Sequence, residues 1–90
     1  MQHFSARLII TLKNGVLDPQ GQASTGALKG LGFGSVQSVR QGKVMDVVLS
    51  AADETGARAD LTAMCEKLLA NTVIENYEIK TVDQMETASA

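Results

Sequence analysis

Leu12-Lys13-Asn14-Gly15-Val16-Leu17-Asp18-Pro19-Gln20-Gly21 reads as the end of a strand, a tight loop and the capped start of a helix. Asp18 can accept the orphan amide hydrogens of a first helical turn. Pro19 fits the first helical position, where its missing N–H is not needed. Upstream, Phe4, Ala6, Leu8, Ile10 and Leu12 alternate with Ser5, Arg7, Ile9, Thr11 and Lys13. That period of two predicts a strand with one buried face. Downstream, Ala23, Ala27, Leu28 and Leu31 form the apolar stripe of a helix that Gly32-Phe33-Gly34 ends.

Further along, Val36 to Val39 and Val44 to Leu49 are strand-like and joined through Arg40-Gln41-Gly42-Lys43. Gly42 supplies the positive φ that a hairpin turn requires. A polar stretch from Ser50 to Gly56 precedes Leu61, Met64, Cys65 and Leu68, which fall on one face of a second helix. Asn71 caps the end of that helix. Tyr77, Ile79 and Thr81 then alternate with Asn76, Glu78 and Lys80 in a last strand. A single domain over 1–82 and a flexible tail over 83–90 are expected.

The order β-α-β-β-α-β predicts an α+β, ferredoxin-like two-layer sandwich, with an antiparallel sheet and both helices on one of its faces. The other face carries Ile9, Val44, Val48 and Val82 among Arg7, Thr11 and Asp46. A half-apolar open face on a small domain is expected to meet a second copy, so Ile9, Val44 and Val48 are the candidate dimer contacts.

Ninety residues with three aromatic side chains and a net charge of −2 bound the function. No basic stripe points to nucleic acid, and no run is apolar enough to span a bilayer. The N-terminus enters a strand directly, without the layout of a signal peptide, and the one cysteine has no internal partner. A cytoplasmic protein is expected.

Chemistry is sparse. His3 is the only histidine and has no second ligand at metal spacing, so no metal site is expected. Cys65 lies on the apolar stripe of the second helix, without a base to activate it, and reads as a buried inert thiol. Asp18 is explained as a helix cap. Arg40 and Lys43 flank the hairpin turn, where two cations beside free amides can hold a phosphate or a partner's carboxylate. The frame itself decides no function. RNA-recognition modules of this shape need aromatics on the open face, and metal chaperones need a cysteine pair in the first loop. Acylphosphatases need an arginine there, and all three features are absent. Amino-acid-binding regulatory modules stay open.

Three segments together carry a resemblance: Leu12 to Gly21, Val36-Gln37-Ser38-Val39-Arg40-Gln41-Gly42-Lys43, and Met64 to Asn71 running on to Val73-Ile74-Glu75-Asn76-Tyr77. In order and spacing they resemble the PurS family, subunits of phosphoribosylformylglycinamidine synthase. Thr72 departs from it, standing where that family usually has proline. The resemblance implies a non-catalytic subunit that dimerises, possesses no catalytic, metal or cofactor site and bridges two other chains. One is a PurL-type synthetase, where ATP and Mg act on formylglycinamide ribonucleotide. The other is a PurQ-type glutaminase that frees ammonia from glutamine. A homodimer or a tetramer is expected. Lys13, Asn14, Asp18, Arg40 and Lys43, in the first loop and the hairpin turn, are the candidate partner contacts. The competing reading is a regulatory module that binds a small molecule.

Overall fold

The computed structural model describes residues 1–85 of the chain. Its elements run β1 (Gln2–Leu12), α1 (Pro19–Gly30), β2 (Gly42–Ala51), α2 (Glu54–Met64) and β3 (Glu75–Met85). The sheet is antiparallel with the order β2-β1-β3. This is the expected α+β architecture of two helices and an antiparallel sheet, with one strand fewer. Val36 to Gln41 joins no ladder, and Gly42 is the first residue of β2. The predicted hairpin is therefore open. Positive φ occurs only at Gly15 and Gly32 among the described residues, so Gly42 makes no tight turn.

The core forms where α2 lies on the helix-side face of the sheet. Phe4, Ala6 and Leu8 of β1 are buried there, with Ala57, Leu61 and Cys65 of the helical layer and Val82 of β3, and Ile10 is buried farther along β1. The middle strand supplies the largest share because it has neighbours on both sides. Asp53 starts α2, its carboxylate accepting from the Gly56 amide at 2.8 Å.

Two details shift side chains from their expected faces. Arg7 pairs with Thr81 but Leu8 with Ile79, so Lys80 has no opposite residue. This bulge reverses the parity of β3. Val82, expected on the open face, consequently turns into the core beside Ala6. In the helical layer, the last turn widens over Cys65–Leu69, where the Ala70 amide bonds to the Cys65 carbonyl at 3.1 Å. A π turn adds one residue per turn and moves the following face by one position. Leu69 therefore packs on the core, whereas Leu68, expected there, is 82% exposed.

Asn71 does not cap that helix. Its carbonyl accepts from Ile74 and Glu75, and its side chain accepts from Val73, so it organises the turn into β3. The strand runs to Met85, three residues into the segment expected as a tail, and Asp83 pairs with Ser5. The remainder of that segment, 86–90, lies outside the described residues.

The first helix departs most from expectation. It ends in a Schellman arrangement, with the Phe33 amide on the Leu28 carbonyl and Gly32 at positive φ. Yet α1 has no packed interface with the sheet or α2, and Gly21 is its only buried residue. Ala23 and Ala27 are exposed, and Leu31 is 75% exposed. The radius of gyration is 17.2 Å. A compact chain of this length would have about 12 Å.

Candidate functional site

The residues singled out in the first loop and the supposed turn meet at one end of the sheet, where β1 stops and β2 begins. Asp18 caps α1 with one carboxylate oxygen, accepting from the Gly21 amide at 2.9 Å. Its other oxygen accepts from the Gln41 amide at 2.9 Å. Thr25 links the same two segments: its hydroxyl donates to the Gly21 carbonyl and accepts from the Val39 amide, each at 2.9 Å. Arg40 spans the gap to β1. Its guanidinium donates to Asn14 Oδ1 at 2.8 Å, to the Lys13 carbonyl at 3.2 Å and to the Leu12 carbonyl.

These bonds give Asp18, Asn14 and Arg40 a definite task, which is to clamp α1 and residues 39–41 to the end of β1. The Gln41 amide, between Arg40 and Lys43, does not await an anion as the hairpin picture supposed, because Asp18 occupies it. Lys43 is an ion-pair partner of Glu75, Nζ to Oε2 3.4 Å, and is itself 59% exposed. Glu75 also accepts from the Asn71 amide at 2.7 Å. The Lys13 amide donates to the Ile74 carbonyl at 2.8 Å, tying the first loop to the start of β3. Two shallow depressions share Glu75 at this end. Lys13, Glu66 and Tyr77 line one, and Asp18, Gln41 and Lys43 line the other. Tyr77 closes the first by donating to Glu66 at 2.6 Å, and this bond raises the Tyr77 hydroxyl above its ordinary pKa.

Sequence reasoning missed Thr25, Glu66 and Glu75. Thr25 sits mid-helix without a charge to mark it, and Glu75 acquires its partners only through the turn at Asn71. The candidate self-contacts are arranged differently. Val44 and Val48 stand on the open face of β2, 59% and 61% exposed, and Ile9 beside them is half-buried. Arg7 and Asp46 cross between them as a two-bond ion pair, at 2.9 and 3.2 Å. Cys65 is fully buried, and desolvation, with Glu66 beside it, pushes its thiol pKa up. A raised pKa removes thiolate, so the group is a poor nucleophile. Cys65→Ala is accordingly expected to lower the melting temperature slightly and leave assembly unchanged. Unchanged melting with lost function would show a reactive thiol. Among the described residues, no three His, Cys, Asp or Glu side chains converge as metal ligands.

The clamp is sensitive to acid. The Gln41 amide first, then the Gly21 amide, hold the Asp18 carboxyl below its usual range, and Arg40 adds to this. A lowered carboxyl pKa in the fold contributes stability that is present above the unfolded value, near 4, and is lost as pH falls through the folded one. Asp18→Asn provides the test. Asparagine has one acceptor oxygen for two amides, so the variant should be less stable at pH 7 and lose less on acidification. A urea midpoint that falls between pH 7 and pH 3 as steeply as that of the parent would remove Asp18 from this role.

The family profile described as PurS, phosphoribosylformylglycinamidine (FGAM) synthase, matches residues 5–83. The phosphoribosylformylglycinamidine synthase subunit PurS of Synechocystis is 47% identical over 78 residues, which are 86% of this chain and 78% of that protein. Among solved structures, Thermus thermophilus PurS superposes with a TM-score of 0.82 at 42% identity, covering 93% of this chain and 99% of its own. A chain of PurLQS from Thermotoga maritima superposes at 0.80 with 27% identity, covering 94% of this chain and all of that one (100%).

Proposed function

This chain belongs to the PurS family of phosphoribosylformylglycinamidine synthase subunits in purine biosynthesis, and on that premise we propose that it is a non-catalytic bridge between two enzymes. The partners are a PurL-type synthetase and a PurQ-type glutaminase. The full-length match to a chain of PurLQS carries this reading. Ammonia released from glutamine must reach the synthetase before it is protonated or escapes, so the two sites have to be held together. In this proposal the chain itself binds no cofactor, and ATP and magnesium act in the synthetase. The protein works in the cytoplasm, and no helix among its described residues is long and apolar enough to cross a membrane.

The bridge is homomeric, a dimer or a tetramer. Ile9, Val44 and Val48 on the open face form one copy-to-copy contact, because burying such side chains is worth roughly 1.5–3 kcal/mol each. Ile9→Glu with Val48→Glu should sediment as a smaller assembly than the parent. An unchanged sedimentation coefficient would place the contact elsewhere. Lys13 and Lys43, at the clamped end, are the cations with which the bridge meets a partner chain. Asn14, Asp18 and Arg40 hold that end in shape. Lys43→Glu should slow partner association without unfolding the chain, since exposed interface charges mainly steer encounter.

The deciding experiment mixes synthetase and glutaminase chains with and without this one and follows amidation of formylglycinamide ribonucleotide. Glutamine-driven turnover should require the chain, while turnover with added ammonia should not. Equal glutamine-driven rates at limiting protein would overturn the bridging role. Saturable binding of a free amino acid or nucleotide to the chain alone would favour the regulatory module.

A further inference from the structure

The sheet ends at β3, whose outer edge has no neighbour among the described residues. That strand is 11 residues long, and an uncovered edge of such length is a template for another strand. It is interrupted in mid-course. Arg7 pairs with Thr81 and Leu8 with Ile79, which leaves Lys80 as an extra residue with no partner across the ladder. The interruption belongs to β3 and not to β1, because β1 pairs with β2 residue for residue from Gln2 to Thr11 on its other side.

The core does not require the extra residue. Ile79 packs on the core opposite Leu8, and Val82 is buried opposite Ala6. With Lys80 present, these two side chains share a face only because the strand bulges. Without it, Ile79 and Val82 would stand two positions apart, and simple alternation would put both on the core side. Arg7 would keep Thr81 as its partner, and Ala6 would keep Val82. A strand one residue shorter thus gives the same packing with an unbroken ladder. What the extra residue changes is the edge. A bulge bends the strand and raises its twist, and it disturbs the even spacing of outward N–H and C=O groups that an incoming strand must match. Lys80 is exposed, so the same position also sets an ammonium group beside that edge.

We propose that the bulge at Lys80 is a stop that closes the outer edge of β3 to strand addition. The strand it excludes is β3 of a second copy, since two identical edges can pair antiparallel under two-fold symmetry. The stop leaves assembly of the bridge to other surfaces, and it does not depend on how many copies the bridge contains.

Deletion of Lys80 from the full chain tests this, by sedimentation over a wide concentration range with circular dichroism alongside. The variant should fold with the parent's helix and strand content. Its weight-average mass should rise with concentration to twice the parent's or more. Amide exchange over residues 77–84 should slow as it does so, while that of α2 stays as in the parent. Lys80→Thr keeps the extra residue and removes its charge, and it should sediment as the parent does. A deletion variant that folds and keeps the parent's mass at every concentration overturns the proposal. So does one that associates without slower exchange in β3, because the contact then lies elsewhere. A deletion variant that does not fold shows that the core needs Lys80, and overturns it too. Association of Lys80→Thr to the same extent as the deletion variant would assign the stop to the charge and leave the bulge no part in it.

Discussion

Leu61→Ala lowers the unfolding free energy by about 2–5 kcal/mol, the range for truncating a buried leucine. Leu61 is fully buried between α2 and the sheet, in a cluster with Phe4, Leu8 and Cys65. The lost transfer energy is compounded by a cavity that a strand on one side and a helix on the other close only partly. At about 4–8 °C per kcal/mol for a domain of this size, melting should fall by at least about 8 °C. The informative control is Leu68→Ala. A regular helix would put both leucines on one face, but the π turn leaves Leu68 in solvent, so its truncation should change the urea midpoint little. Equal losses from the two variants would mean that the helix continues regularly past Cys65 and that Leu68, not Leu69, meets the core.

Gly21→Val breaks the clamp that joins α1 to residues 39–41. A Cβ at position 21 would stand 2.3 Å from the Val39 carbonyl oxygen and 2.5 Å from an Asp18 carboxylate oxygen. Neither can give way without losing the bonds that join α1 to residues 39–41. Overpacking of this kind costs about 1–3 kcal/mol, and its cost falls on the contact between the two segments. The sheet core lies elsewhere, so strand content should survive while the melting temperature falls. Gly26→Ala makes the contrast on the same helix. Nothing lies within 4 Å of a Cβ there, and the gain in helix propensity, up to about 1 kcal/mol, should raise the melting temperature. An unchanged melting temperature of Gly21→Val would show that the close approach of Val39 is dispensable.

Local chemistry was legible in the sequence wherever its cause is local. The alternation of Phe4, Ala6, Leu8 and Ile10 determined the buried face of β1, because successive side chains on a strand point to opposite sides. Asp18-Pro19 determined where α1 starts, because an acceptor and a missing donor suit a helix N-terminus and nothing farther along it. Cys65 was readable as a buried thiol from its place on an apolar stripe. The family segments were legible too, since residues 5–83 retain them in order.

The tertiary structure decided what depends on partners distant in sequence. Val82 faces the core only because Lys80 bulges, and that bulge belongs to the pairing of β3 with β1. Leu69 replaces Leu68 because the last turn of the helical layer widens before Asn71 ties the chain to Glu75. Asp18 proved to be more than a cap when its second oxygen found Gln41, 23 residues away. Most of all, Arg40-Gln41-Gly42-Lys43 has the composition of a tight turn yet runs straight. A turn's residues permit φ and ψ values without compelling them, and here Asp18, Thr25 and Arg40 hold the returning chain against α1, away from the edge of β2. Composition therefore fixed the local alternatives, and long-range hydrogen bonds selected among them.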